Sequence, residues 1–208
     1  MLALDFDGVI VDSEAAKRQA FDDVFELYPE HAPALRELRN TDLSANRVSF
    51  FNLCVQEVFG AETEPEARFT TLMSQLSDAM TRRVAACPAI SGVAAFLDRH
   101  AHLPQYLVSL TPIDNLRAIL EQRQLLGQFR GYFGRPPYSK EEAFRTIIES
   151  EAIPPESLLV IGDSLSDAES AAMVGAQFAG LAADERFAQT GFPYAGTLDE
   201  ISELIENG

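Results

Sequence analysis

The sequence predicts an α/β fold: a Rossmann-like parallel sheet core with an all-helical domain inserted into it. Three observations carry that expectation. The chain begins with an apolar run, Leu2-Ala3-Leu4, that gives way to Asp5-Phe6-Asp7-Gly8-Val9. A second run, Leu158-Leu159-Val160-Ile161, gives way to Gly162-Asp163-Ser164 and then Asp167. Unbroken apolar runs of this length read as strands covered on both faces, the mark of a parallel sheet. Third, residues from about 13 to 87 show helical periodicity and contain no convincing strand.

Taken in order, the inserted part reads as a helical bundle. Ala15 to Leu27 places Ala16, Ala20, Val24 and Leu27 on one face, and Phe50 to Phe59 carries Phe51, Cys54, Val55 and Val58 before Gly60, a suitable helix terminator. Phe69 to Val84 carries Leu72, Leu76 and Met80. Such stripes are the default of packed helices rather than a cofactor box. Pro88 and Gly92 mark the return to the sheet, with Ser91 expected to cap a helix carrying Val93, Phe96 and Leu97. Gln105-Tyr106-Leu107-Val108-Ser109 reads as a strand ending in a hydroxyl, followed by a helix with Leu116, Ile119 and Leu120. Gly131 to Phe133 and Ala176 to Leu181 read as further strands. Ser139 with Glu142, and Thr197 with Glu200, form capping boxes that open two more helices, the last with Ile201, Leu204 and Ile205 facing inward. The expected division is residues 1–12 and 88–208 for the sheet core and 13–87 for the helical part.

The strand ends carry the chemistry. In an extended backbone Asp5 and Asp7 point to one side. Two crowded carboxylates repel unless a proton or cation intervenes. The Gly and apolar residues that follow offer no Lys or Arg, so a divalent metal is the natural compensator; an acidic turn is the plain alternative. In open α/β sheets ligands gather outside the carboxyl ends of the strands, so Asp163 can join the first pair. Magnesium favours carboxylate oxygens while keeping several waters. Lys140 lies in the first turn of its helix, the wrong end of the macrodipole for a cation. An anion held in front of it would turn that small cost into a gain.

The ordered set Asp5-Phe6-Asp7-Gly8-Val9, Ser109, Lys140 and Gly162-Asp163-Ser164 with Asp167 resembles the haloacid dehalogenase superfamily. Within it, the chain is similar to the phosphatase branch with an inserted helical cap, of the phosphoglycolate phosphatase and beta-phosphoglucomutase kind. The resemblance implies a Mg²⁺-dependent hydrolysis of a small phosphate monoester through an aspartyl phosphate. It makes Asp5 the nucleophile and Asp7 the acid and base. It gives Mg²⁺ to the Asp5 side chain, the Asp7 backbone carbonyl and Asp163, with Asp167 bracing the metal's waters or Lys140. Ser109 and Lys140 would grip the phosphoryl oxygens. An acid at position 7 favours phosphate chemistry over dehalogenation, since a halide leaves unprotonated. The third motif departs from the usual pattern, because its prolines precede the lysine in Arg135-Pro136-Pro137-Tyr138-Ser139-Lys140. Arg135 is therefore a rival for the Lys140 role. A phosphomutase is the alternative enzyme. A receiver-like or phosphate-binding regulatory protein is the alternative of another class, against which the motif order speaks.

Composition narrows the partners. A net charge of −16 over 208 residues argues against a phosphate-backbone binder and would repel anionic substrates at long range, so the small phosphorylated metabolite that the resemblance implies must be captured by the metal and a few local cations. No stretch approaches a membrane span, and the amino-terminal strand leaves no room for a signal peptide. Cys54 and Cys87 are isolated and read as buried free thiols, in keeping with a reducing cytoplasm. His31, His100 and His102 share no motif and read as surface residues. The polar stretch Asn40, Thr41, Asp42, Ser44, Asn46 and Arg47 is either a solvated connection or a specificity loop with Arg47 on the substrate.

Overall fold

The computed structural model describes residues 1–41, 47–60 and 64–207. Asp42, Ser44 and Asn46 of the polar stretch lie outside the described residues. The chain divides into two compact units, Met1–Ser13 with Cys87–Gly208, and Glu14–Ala86.

The first unit is built on six strands: β1 (Leu2–Asp5), β2 (Gln105–Val108), β3 (Gly131–Phe133), β4 (Leu159–Gly162), β5 (Gln177–Leu181) and β6 (Tyr194–Ala195). They lie in the order β3-β2-β1-β4-β5-β6, and every pairing is parallel. All residues of β1 and β2 are buried, as strands of mainly apolar residues covered on both faces should be, with Asp5 at the end of β1 and Gln105 at the start of β2 as their buried polar members. From β1 the chain steps outward through β2 to β3, then crosses back to place β4 on the other side of β1. That reversal puts a topological switch point between β1 and β4, where open sheets form their ligand crevice. The register places Leu4 opposite Ile161, which brings the ends of the two strands, Asp5 and Gly162-Asp163, to the same level.

The second unit holds α1 (Glu14–Glu26), α2 (Ala32–Thr41), α3 (Arg47–Glu57) and α4 (Pro65–Ala86). Its core is aromatic. Phe21, Phe25, Phe50 and Phe51 are all buried, with ring centroids 5.3–6.4 Å apart in tilted and edge-on pairs. Leu72, Leu76 and Ala79 of α4 close this cluster. Arg39 covers it from above, its guanidinium 4.5 Å from the Phe21 centroid.

The remaining helices belong to the first unit: α5 (Val93–Arg99), α6 (Ile113–Gln122), α7 (Lys140–Ser150), α8 (Leu165–Val174) and α9 (Leu198–Asn207). Both expected capping boxes form, at Ser139 with Glu142 and at Thr197 with Glu200. Among the described residues no helix is long and apolar enough to cross a membrane.

Four expectations are corrected. Leu27 is exposed rather than facing the bundle: α1 ends at Glu26, and the chain tightens as Leu27 N–H donates to the Val24 carbonyl. Leu204 is exposed, because in α9 Leu198 and Ile201 hold the inner face. Gly92, not Ser91, is the N-cap of α5, and no side chain caps it. His100 is buried, not on the surface; it stacks 4.6 Å from Phe96, and its Nε2 lies 2.9 Å from Ser202 Oγ.

Candidate active site

The carboxyl edge of the sheet gathers polar groups that are buried yet partnered. Asp5 ends β1 and is buried. The chain then turns sharply through Phe6 to Val11, with Gly8 N–H donating to the Val11 carbonyl and Ile10 N–H to that of Phe6. Gly8 takes a left-handed conformation (φ +80°), and a Cβ there would strike the Asp163 carboxylate. Only glycine serves at position 8, for both reasons. Gly162 repeats the device, since a Cβ there would strike the Asp167 side chain.

Asp163 sits between β4 and Ser164, the N-cap of α8. Asp167 lies one turn on. Its Oδ2 accepts from Ser164 N–H at 3.2 Å and from Ser164 Oγ at 2.7 Å, completing a capping box. Its other oxygen accepts from the Lys140 ammonium. That ammonium also lies 3.0 Å from Asp5 Oδ1, and Lys140 is buried. The lysine at the unfavourable end of α7 thus points its charge inward at two carboxylates. Arg135, its rival, is exposed, and its backbone N–H donates to the Thr111 carbonyl at 3.1 Å.

The charges shift one another. Burial pushes the Asp5 carboxyl up to about 7, opposed by Lys140 and reinforced by the neighbouring Asp167 and Asp7. Burial would lower the Lys140 ammonium, but attraction to Asp5 and Asp167 outweighs it and holds the group up at about 12. Lysine is therefore a fixed cation, and Asp5 stands poised between charged and neutral forms.

One oxygen each from Asp5, Asp163 and Asp167 lie within 4.8 Å of one another. Three carboxyl groups gather here around the single Lys140 ammonium, in a partly dry site. That all-oxygen donor set fits a hard divalent cation. The hollow at Gly8 is what lets the Asp163 carboxylate lie beside the β1 turn.

Asp7 leaves the carboxylate cluster. Its two oxygens accept from Ser13 Oγ at 2.5 Å and from Thr111 Oγ1 at 3.4 Å. Ser109 follows β2 and is buried; its Oγ accepts from Thr111 N–H at 3.0 Å, so its own proton is available to another acceptor. Sequence reasoning missed Ser13 and Thr111 as partners of Asp7. Both are small hydroxyl residues in the short segments that lead into α1 and α6, and no spacing rule marks them. Arg47, the remaining candidate, opens α3 in the helical unit and is exposed.

Comparisons with known proteins bear on this arrangement. A candidate beta-phosphoglucomutase from Thermotoga maritima superposes with a TM-score of 0.78 at 16% identity, covering 99% of this chain and 98% of its own. A predicted phosphoglycolate phosphatase from Haemophilus somnus 129PT gives 0.78 at 15% identity, covering 99% and 97%. CbbY from Rhodobacter sphaeroides, solved in complex with phosphate, gives 0.71 at 14% identity, covering 96% and 95%. At such identities the likeness shows a shared fold. A sequence comparison with curated proteins returns no match. The model of haloacid dehalogenase-like hydrolases matches residues 1–175, a span that takes in both acidic strand ends and the lysine between them, and the chain belongs to that family.

Proposed function

We propose that the chain is a Mg²⁺-dependent phosphatase that hydrolyses a small phosphate monoester through an aspartyl phosphate on Asp5. The observation that carries this reading is the Lys140 ammonium, buried 3.0 Å from Asp5 within a cluster of three carboxylates. Phosphoryl transfer is mainly a matter of positioning and of neutralising charge on the equatorial oxygens. A buried carboxylate beside a fixed cation is suited to both.

In this mechanism an Asp5 oxygen attacks phosphorus, and the ester oxygen leaves with a proton from Asp7. A water then attacks the phosphorus of the aspartyl phosphate and gives its proton to Asp7, releasing phosphate and restoring Asp5. Ser13 and Thr111 hold the Asp7 carboxylate in place between these roles. Ser109 and Lys140 donate to the phosphoryl oxygens, and Asp167 keeps Lys140 aimed. The Asp5 side chain, the Asp7 backbone carbonyl and Asp163 would hold Mg²⁺, which when bound supplies charge neutralisation at the phosphoryl oxygens. Leaving-group choice is assigned to the helical unit as a cap, with Arg47 as the candidate contact.

The same residues would serve a phosphomutase, and the fold shared with the Thermotoga maritima protein keeps that as the second reading. Phosphate release from a panel of small monoesters, with Mg²⁺ and with EDTA, tests the proposal. Release that requires Mg²⁺ is expected. Release undiminished by EDTA overturns the metal assignment, and isomerisation without release favours the mutase. Arg47→Ala is expected to impair the best ester of the panel several-fold more than p-nitrophenyl phosphate; equal loss on both removes Arg47 from substrate contact.

A further inference from the structure

The loop that follows β5 reaches back to the second acidic strand end. Arg186 Nη1 donates to the Asp163 backbone carbonyl at 2.9 Å, across 23 residues of sequence. The guanidinium is itself held by a fork: Nε to Asp184 Oδ1 and Nη2 to Asp184 Oδ2, each at 2.7 Å. Asp184 Oδ1 also accepts from the Arg186 backbone N–H at 3.1 Å, so one carboxylate fixes both ends of the arginine. Next in sequence, Phe187 is buried, 5.5 Å from the Phe178 ring, and this anchors the loop in the sheet's core. A bidentate arginine between an anchored loop and a backbone carbonyl is a geometric constraint, unlike an ordinary exposed ion pair.

Asp163 is thereby gripped from two sides. Its carboxylate lies against the hollow at Gly8, while its carbonyl is tied to Arg186. We infer that Arg186, clamped by Asp184, is a positioning residue that holds the Asp163 strand end in the geometry required to bind Mg²⁺. This rests on the proposed function, which gives Asp163 to the metal. The pairing has an electrostatic logic. A lone arginine at this edge would repel a cation, but Asp184 cancels its charge, so the pair orients Asp163 without opposing the metal.

Charge and position make opposite forecasts, which the experiment separates. Mg²⁺ binding to the full chain is measured by titration calorimetry, with the thermal midpoint in EDTA as a check on folding. Outer partners of metal ligands are worth on the order of tenfold or more in affinity. Arg186→Ala is therefore expected to weaken Mg²⁺ about tenfold, although it removes a positive charge. Asp184→Ala, which frees the fork, is expected to weaken it as well, and Arg186→Lys is expected to recover only part of the loss. The double variant Asp184→Ala with Arg186→Ala restores neutrality and is expected to bind as weakly as Arg186→Ala. Unchanged or tighter binding by Arg186→Ala overturns the inference while leaving the phosphatase reading intact. Absence of Mg²⁺ binding by the unaltered chain overturns both.

Discussion

Two buried regions of this molecule are made of opposite materials. At the carboxyl edge of the sheet, Asp5, Ser109, Lys140 and Asp167 are all buried and all polar. In the helical unit, the buried cluster runs through Phe21, Phe25, Phe50, Phe51, Leu72 and Leu76 and contains no charged side chain. Burying aromatic surface stabilises a fold directly. Taking charges out of water costs stability unless they are paired, and even paired ones rarely improve on a hydrophobic core. The edge of the sheet therefore gives up stability that the helical core recovers for its own unit. A chain tolerates that arrangement where charges are needed for chemistry. The contrast forecasts that substitutions at the edge act on turnover and substitutions in the helical core act on folding.

The largest effect is expected from Asp5→Asn. The amide is nearly isosteric but a poor nucleophile, and loss of a nucleophile costs about 10³-fold or more in turnover. The thermal midpoint should stay within about 4 °C of the unaltered chain, since roughly 1 kcal/mol corresponds to a shift of that size in a chain of this length. Turnover within a few-fold of the unaltered enzyme would sink the nucleophile assignment. A collapse of the midpoint would instead show that the polar edge is structural, and the contrast with the helical core would fail.

Phe51→Ala is the mirror experiment. Phe51 is fully buried among the rings of α1 and α3. Removing such a ring costs about 3–5 kcal/mol. Thermal unfolding should shift strongly downward, while the Mg²⁺ affinity measured at low temperature stays unchanged. A matched loss of metal binding would show that the two units are not energetically separable.

A finer test separates two cations. If Lys140 neutralises the phosphoryl group, Lys140→Ala should lower kcat/KM by about 3 kcal/mol or more, the scale of electrostatic groups in active sites. Exposed Arg135 should tolerate replacement by Ala within a few-fold. The reverse ranking would move the third motif to Arg135.

The sheet and the polar residues gathered at its edge were legible because strand runs and motif residues coincide in sequence. Leu2 to Asp5 and Leu159 to Gly162 announce both the strands and the acids that follow. Lys140 was legible through its capping box, since Ser139 and Glu142 fix where the helix begins. Depth was less legible than direction. Periodicity assigns Leu27 and Leu204 to a stripe, but it cannot see that α1 stops one residue short or that Ile201 fills the space under α9. Contacts made through the backbone were not legible at all. Arg186 recognises a carbonyl, which every residue possesses, so nothing in the identity of Asp163 foretells it.

His100 supplies the smallest and most pointed test, because it is a polar residue buried away from the site. Ser202 Oγ donates to the Leu198 carbonyl at 3.1 Å, so the contact to His100 Nε2 requires the imidazole to donate there. Nδ1 is then the unprotonated nitrogen, and among the described residues it has no hydrogen-bond partner. Protonating it would create a buried N–H facing no acceptor. Burial accordingly lowers the His100 pKa below its ordinary value, with Arg99 and His102 acting in the same direction and Glu206 against it. The folded state therefore holds fewer protons than the unfolded state once the pH drops under the unfolded value, about 6.5. The stability this residue lends is complete above that pH and is lost as the pH falls through the folded pKa. The slope is bounded by about 1.4 kcal/mol per pH unit, the limit for one proton. His100→Gln keeps an N–H donor directed at Ser202 but cannot titrate. Asp5, whose pKa is raised, contributes a slope of the opposite sign, so the readout is the difference between the unaltered chain and His100→Gln in denaturant midpoint from pH 7.5 down to 5. That difference should shrink as the pH falls. A constant difference would mean that His100 is protonated equally in both states, and it would have to be regarded as packing alone.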